Sequence, residues 1–186
     1  MGSTIRSEPG SFVAMYIRRE TSSDRDAIYS LLGAAFGDQA PPGETPYEIE
    51  LTRQLFASDD YLPKLSLVAV AGGEIVGFVI GTRGWVGPVE AVGLGPLAVT
   101  PGNQRSGVGS ALMHAVVGAC DALDVPLIAL LGSTEYYPRF GFVTSTDVGV
   151  ESPEAEWGAH FQIRTLTTHR ADQTGKFSYA APFGIA

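Results

Sequence analysis

The segment from 96 to 113, PLAVTPGNQRSGVGSALM, joins a short apolar run to an amphipathic run through a glycine-rich turn. We interpret it as a buried strand, a turn and the start of a helix. The first turn of a helix leaves backbone N–H groups unpaired, and the aligned peptide dipoles add positive potential there. Glycine has no Cβ, so the backbone of such a turn can approach a bulky anion. The segment therefore predicts a phosphate or pyrophosphate site; the alternative is a structural turn whose glycines only allow close packing.

The turn differs from the two common nucleotide-binding motifs. GNQRSGVG at 102–109 lacks the Lys-Ser/Thr pair that ends a P-loop, and its glycines do not follow the G-x-G-x-x-G order of a dinucleotide site. It also comes after a predicted β-hairpin, whereas a Rossmann unit usually opens with its glycine motif. A Rossmann nucleotide-binding domain is therefore a poor fit.

The pattern of apolar and polar residues predicts a mixed α/β domain with a central sheet. The predicted strands are 15–20, 65–71, 74–82, 89–99, 126–132 and 160–167, and the predicted helices are 21–36, 47–57 and 107–123. Residues 37–46 and 83–88 are predicted loops, and 134–142 is a predicted helical turn that closes onto a strand. We assign residues 1–14 to an N-terminal tail and 15–186 to a single domain.

Composition argues against several classes of function. A net charge of −8 leaves no basic stripe for nucleic acid, and no apolar run is long enough to predict a membrane span. The single cysteine, Cys120, excludes an internal disulfide and predicts a reducing, cytoplasmic setting. We expect it to be a small buried hydrophobe. His114, His160 and His169 have no metal-ligand spacing.

The glycine turn and a tyrosine motif together resemble the GNAT family of acyl-CoA-dependent N-acetyltransferases. The family signature, Gln/Arg-x-x-Gly-x-Gly/Ala, is matched by QRSGVG at 104–109, directly after the predicted strand. The second hallmark, a tyrosine four residues before Gly-Phe, is matched by Tyr137 in YYPRFGF. The phrases LGPLAV and GKFSYAAPF resemble one predicted subgroup of the family. Many members carry an Asn in the segment before the tyrosine, where this chain has Ser133 and Thr134.

The resemblance implies a fold and a co-substrate. The fold is a mostly antiparallel twisted sheet flanked by helices, with a splay between the strands at 89–99 and 126–132. The co-substrate is acetyl-CoA, without a metal. The turn would hold the CoA pyrophosphate through backbone N–H groups, and the strand before it would pair with the pantetheine amides. The implied cofactor-binding residues are Leu97, Ala98, Val99, Gln104, Arg105, Ser106, Gly107, Val108, Gly109 and Ser110.

The resemblance also implies direct attack of an acceptor amine on the thioester. Tyr137 would give a proton to the departing thiolate, with Tyr136 as the second candidate, and a backbone N–H of Leu97 or Ala98 would stabilise the oxyanion. Glu90 is the candidate base; the alternative is an ordered water, with Glu90 a solvated carboxylate. Tyr137 could otherwise be a core aromatic residue.

The acceptor is predicted to be a small-molecule or peptide amine, and the resemblance makes a homodimer plausible. The acidic side chains Asp38, Glu44, Glu48 and Glu50 cluster around the 37–46 loop, where family members usually build the acceptor pocket. They could attract a cationic amine or form a solvated surface. Two other interpretations stay open: a CoA-binding module without catalysis, and an α/β protein that binds no CoA.

Overall fold

In the computed structural model, which describes residues 14–185, a central β-sheet has helices on both faces. The strands are β1 (Met15–Arg19), β2 (Tyr61–Ala71), β3 (Glu74–Val86), β4 (Val89–Val99), β5 (Leu127–Leu131), β6 (Val143–Thr144), β7 (Val150–Glu151), β8 (Phe161–Thr165) and β9 (Gly175–Ser178). The helices are α1 (Arg25–Phe36), α2 (Tyr47–Ala57) and α3 (Val108–Asp121). Of the predicted tail, residues 1–13 lie outside the described residues.

The sheet is mostly antiparallel, as expected. Its main path runs β1-β2-β3-β4-β5-β8-β6, in which β4 and β5 form the parallel pair. β9 lies off this path, antiparallel to β3 and parallel to β7. No described helix combines the length and the hydropathy that a membrane crossing requires.

Alternating side chains of β2 belong to two different cores, one on each face of the sheet. Leu65, Leu67 and Ala69 of β2 belong to the core beneath α3, whereas Val68 and Val70 belong to the core beneath α1 and α2. Successive side chains of a strand point to opposite faces, so a sheet covered on both faces carries an almost continuous apolar sequence. The apolar run LSLVAVA, at 65–71, is therefore typical of a central strand.

The predicted loop at 83–88 is wrong apart from the two-residue turn Gly87-Pro88. β3 continues through Val86, which pairs with Val89 across that turn. The other edge of this part of β3 is hydrogen-bonded to β9, which the sequence did not predict. Because β4 and β9 are hydrogen-bonded to its two edges, β3 stays extended through this stretch, although the sequence of the stretch, which contains a glycine, does not by itself indicate a strand. The other predicted strands and helices are confirmed within a few residues.

β4 carries an irregularity that positions the site. Its register against β3 shifts between Leu94 and Leu97, so that Gly95 and Pro96 form a bulge. Proline has no N–H to donate, and a bulge is one of the few strand positions that tolerate it.

β4 and β5 part soon after they meet. They pair at Val92 with Ile128 and at Gly93 with Ala129, and beyond Gly93 no pairing joins them within the described residues. β5 stays hydrogen-bonded to β8 along its whole length. The expected splay between these central strands is therefore present.

Helix α3 lies directly against β3 at Gly77. A Cβ on Gly77 would come 2.8 Å from both Val108 Cγ1 and Leu112 Cδ1, so no side chain fits between strand and helix. This contact places the beginning of α3 beside the end of β4. Cys120, near the end of α3, is fully buried as predicted, and burial raises the pKa of its thiol to about 12.

Candidate functional site

The glycine turn at 100–107 connects the end of β4 to the beginning of α3. Gln104 Nε2 donates to the carbonyl of Val99, at 3.3 Å, and so ties the turn to the last residue of β4. Arg105 and Gly107 both have positive φ, 59° and 93°. The left-handed conformation at Gly107 favours glycine, and a Cβ there would meet no heavy atom within 4 Å. The space beside the turn is therefore open.

The first turn of α3 offers backbone donors to that space. Its hydrogen-bond ladder begins where the Ala111 N–H donates to the Gly107 carbonyl, at 2.9 Å. The preceding N–H groups, those of Val108, Gly109 and Ser110, have no backbone carbonyl partner within the described part of the chain. The Val108 side chain is buried in the core, so only its backbone faces the turn. This arrangement can bind an anion.

Tyr136 reaches the glycine turn, which the sequence did not indicate. A Cβ on Gly109 would lie 2.9 Å from the Tyr136 hydroxyl oxygen, and the Arg139 guanidinium lies 4.8 Å from the centre of the Tyr136 ring. Ser133 helps to start the turn that carries both tyrosines, because its hydroxyl accepts the N–H groups of Glu135 and Tyr136. Tyr136 is therefore oriented toward the anion site.

Tyr137 instead lines a cavity of about 470 Å³ at the point where β4 and β5 part. The cavity is bounded by α1, α2, the bulge of β4, the end of β5 and two later segments. Its lining residues are Phe36, Tyr47, Glu48, Leu51, Leu94, Gly95, Pro96, Leu97, Leu131, Tyr137, Trp157, Tyr179, Phe183 and Ile185. The volume is in the range that small-molecule sites occupy.

The Tyr137 ring is held by a close contact with Gly132. A Cβ on Gly132 would come 2.2 Å from Tyr137 Cε2, so only glycine leaves room for the ring. Burial, with a smaller contribution from Tyr136, raises the pKa of the Tyr137 hydroxyl to about 12. The hydroxyl therefore keeps its proton at neutral pH and can act as a proton donor.

The structure separates the acidic residues that the sequence singled out. Glu48 lines the cavity, whereas Asp38, Glu44 and Glu50 do not. Glu90 also lies outside the lining; its carboxylate accepts a hydrogen bond from Arg83 Nε at 3.1 Å, and its side chain is 63% exposed. Seven residues of strand, or about 20 Å, separate Glu90 from Leu97.

The C-terminal segment supplies much of the cavity wall, which sequence reasoning missed. A Cβ on Gly93 would lie 2.6 Å from Tyr179 Cδ1, so the Tyr179 ring rests directly on the backbone of β4. The ring centres of Tyr179 and Phe183 are 4.6 Å apart, and Trp157 lies 6.3 Å from Tyr179. The sequence signal for this wall was the spacing of the aromatic residues in FSYAAPF, at 177–183.

The described residues contain no candidate cluster of metal ligands. Within residues 14–185, no group of three or more His, Cys, Asp or Glu side chains is arranged to hold an ion.

The chain is similar to known proteins of one family. Residues 25–142 match the model of the Acetyltransferase (GNAT) family. A relative from Escherichia coli strain K12, described as the uncharacterized N-acetyltransferase YjhQ, is 31% identical over 144 residues, which is 73% of this chain and 79% of the relative.

Two solved structures share the fold over nearly the whole chain. The GNAT family N-acetyltransferase YhbS from Escherichia coli, in complex with CoA, superposes with a TM-score of 0.83 at 23% identity, over 97% of this chain and 96% of its own. A GNAT family acetyltransferase from Brucella melitensis, in complex with acetyl-CoA, has a TM-score of 0.73 at 27% identity, over 92% and 99% of the two chains.

The contact between Gly132 and Tyr137 predicts an effect on stability. Gly132→Ala should lower the free energy of unfolding by about 1–3 kcal/mol, because the new methyl group overlaps the ring and forces it to move. Gly118→Ala is the matched control: Gly118 is exposed on α3 with no heavy atom near its Cβ position. That change should raise the free energy of unfolding by about 0.5–1 kcal/mol. Urea denaturation measures both, and an unaltered Gly132→Ala protein would contradict the contact.

Proposed function

The chain belongs to the acetyltransferase (GNAT) family, and we propose that this acyl-CoA-dependent N-acetyltransferase acetylates a primary amine by direct attack on the acetyl-CoA thioester. The observation that carries the proposal is the unpaired edge of β4 beyond Gly93, which lies between the open glycine turn and the cavity that contains Tyr137. Acetyl-CoA supplies the thioester: a C–N bond to the amine forms, the C–S bond breaks, and CoA leaves as the thiol.

The residues at the glycine turn fit the pyrophosphate of CoA. The N–H groups of Val108, Gly109 and Ser110 would donate to its oxygens, and Gly107 leaves the approach open. Arg105 is placed in the same turn and can add a charge-assisted bond. These donors make the turn the anchor for the negatively charged part of the cofactor.

The unpaired edge of β4 suits the pantetheine arm. Backbone groups of Leu97 and Val99 face the β5 side, where no partner strand pairs with them, and an extended amide-bearing chain can take that place; those of Ala98 face β3. Of the two candidate donors, Leu97 has its backbone N–H on the free edge, and it would donate to the carbonyl oxygen as negative charge develops there. Gln104 supports this edge through its bond to Val99.

Tyr137 is proposed as the acid that protonates the CoA thiolate. It lines the cavity together with Leu97, and its raised pKa keeps the hydroxyl in the donor form. Glu48 is proposed as the proton acceptor of the amine, directly or through a water, in place of Glu90. Glu48 lines the same cavity, whereas Glu90 is paired with Arg83 elsewhere on β4.

We also propose that residues 15–186 form one acetyltransferase domain, because strands from β1 to β9 join the same sheet. A cytoplasmic location is proposed from the single, free Cys120. A homodimer is proposed from the family resemblance alone.

Cofactor binding at the turn is testable by thermal unfolding with and without acetyl-CoA. At a hundredfold excess over its dissociation constant, the ligand should add about 2.7 kcal/mol to the stability of the native protein. Gly109→Glu should abolish this gain, because a carboxylate placed at the first turn of α3 repels the pyrophosphate. Its Cβ would lie 2.9 Å from the Tyr136 hydroxyl oxygen and 3.6 Å from Val99 Cγ2, so a small shift of the Tyr136 side chain should accommodate it.

Gly118→Glu is the control for added charge, since it puts the same carboxylate on α3 about 13 to 14 Å further along the helix. It should keep the full stabilisation by acetyl-CoA. A wild-type protein that shows no gain at all would refute cofactor binding.

Replacing the proposed acid should affect turnover and leave cofactor binding intact. Tyr137→Phe should lower kcat by about a hundredfold or more, with little change in the Kd of acetyl-CoA. Because the pKa of Tyr137 is raised to about 12, the wild-type kcat should show no loss from ionisation of this group between pH 7 and 10. Steady-state kinetics across that range, with Tyr136→Phe as the comparison, measure both. A Tyr137→Phe enzyme with the wild-type kcat would exclude Tyr137 as the acid.

The two candidate bases can be separated by isosteric changes. Glu48→Gln should reduce kcat at least about tenfold more than Glu90→Gln, because only Glu48 shares the cavity with Tyr137. Turnover is measured at saturating acetyl-CoA across pH 6 to 9. A larger loss in Glu90→Gln would restore Glu90 as the base, and small, equal losses would assign the role to water.

A further inference from the structure

The charges of the cavity wall point to a cation. Of its fourteen lining residues, Glu48 carries a charge, and none is Lys, Arg or His. Within the described residues, the Glu48 carboxylate has no ion pair or side-chain hydrogen bond, and Glu48 is half-buried at the start of α2. A carboxylate beside apolar groups is stabilised when a cation reaches it, because its hydration is reduced there.

The aromatic side chains of the wall point to the rest of the ligand. Trp157, Tyr179 and Phe183 form a connected cluster on one side, with neighbouring ring centres 6.3 and 4.6 Å apart. Phe36 and Tyr47 bring further rings from the helices. Such rings pack well against an apolar body, and their faces attract ammonium groups.

The cavity is closed by contacts between distant parts of the chain. The Tyr47 hydroxyl donates to the Phe183 carbonyl at 3.3 Å, which joins α2 to the C-terminal segment. The helix that carries Glu48 and the aromatic cluster are therefore joined in one wall. It offers few polar side chains, so peptide N–H and C=O groups bound inside would lose hydrogen bonds to water without replacement.

We propose that the acceptor is a small primary amine on an aromatic or other apolar body, whose ammonium group binds beside Glu48 and whose apolar body packs against Trp157, Tyr179 and Phe183. This assignment rests on the proposed function and names its substrate class. A polyamine fits less well, because its second ammonium group would lie against apolar groups without a second carboxylate. A lysine-bearing peptide fits less well because of its backbone.

The first measurement compares acceptors with the full-length protein and saturating acetyl-CoA. The amines are 2-phenylethylamine, spermidine and a short lysine-containing peptide. We expect kcat/KM for 2-phenylethylamine to exceed the values for spermidine and the peptide at least about a hundredfold. The factor reflects the aromatic group that 2-phenylethylamine buries and the second ammonium group that spermidine would leave unpaired.

The second measurement separates binding from chemistry. N,N,N-trimethyl-2-phenylethylammonium cannot be acetylated, and its binding in the presence of CoA is measured by calorimetry. Glu48→Gln and Trp157→Ala should each weaken it about tenfold, whereas Glu50→Gln should not, because Glu50 is exposed on the same helix outside the cavity. The neutral 2-phenylethanol should bind more weakly than the ammonium ligand and be insensitive to Glu48→Gln.

The outcomes distinguish the two proposals. Turnover of spermidine or the peptide that equals or exceeds that of 2-phenylethylamine would overturn the substrate class and leave the N-acetyltransferase activity intact. Absence of turnover with every amine would contradict the proposed function, and the calorimetry would still decide the binding of an apolar ammonium ligand. Equal binding by the wild type and Glu48→Gln would refute the cation site.

Discussion

The parting of β4 from β5 is the constraint on which the rest of the site depends. The two strands are hydrogen-bonded through Gly93 and Ala129 and then separate, while β5 remains paired with β8. Backbone groups on a free strand edge need partners, and in the interior of a sheet only a ligand or water can supply them. The bulge at Gly95 and Pro96 bends β4 at the same place. A central strand of the sheet thereby has a free edge, on which the proposed binding of acetyl-CoA depends.

Close contacts at three glycine residues hold the groups around this edge in place. Gly77 lets α3 approach β3, so that the first turn of the helix lies at the end of β4. Gly93 admits the Tyr179 ring onto β4, and Gly132 admits the Tyr137 ring at the end of β5. In each case a Cβ would overlap the neighbouring side chain, so the absence of a side chain is what allows the contact. Rigid packing of this kind holds catalytic and binding groups more precisely than a mobile loop would.

The site has different electrostatic environments at Tyr137, at Glu48 and at the glycine turn. Tyr137 is half-buried against the rings of Tyr136 and Phe142, and its partial burial raises the pKa of its hydroxyl and preserves its proton. Glu48 lies at the start of α2, where the helix dipole favours a carboxylate, and it faces the cavity without a cationic partner in residues 14–185. The glycine turn adds backbone donors for an anion at a third position. In the proposed mechanism, proton donation, cation attraction and anion binding therefore fall to different parts of the fold.

The sequence by itself determined the local features: the buried strand, the glycine turn, the beginning of α3 and the tyrosine before Gly141-Phe142. These depend on residues within a few positions of one another, since backbone conformation and helix start signals act over short range. Tertiary structure alone decided that Glu48 rather than Glu90 lines the cavity, and that Tyr136 lies beside the glycine turn. It also decided the aromatic wall, where Tyr47 meets Phe183 across 136 positions of sequence. Such contacts depend on strand register and packing between distant segments, which no short pattern encodes.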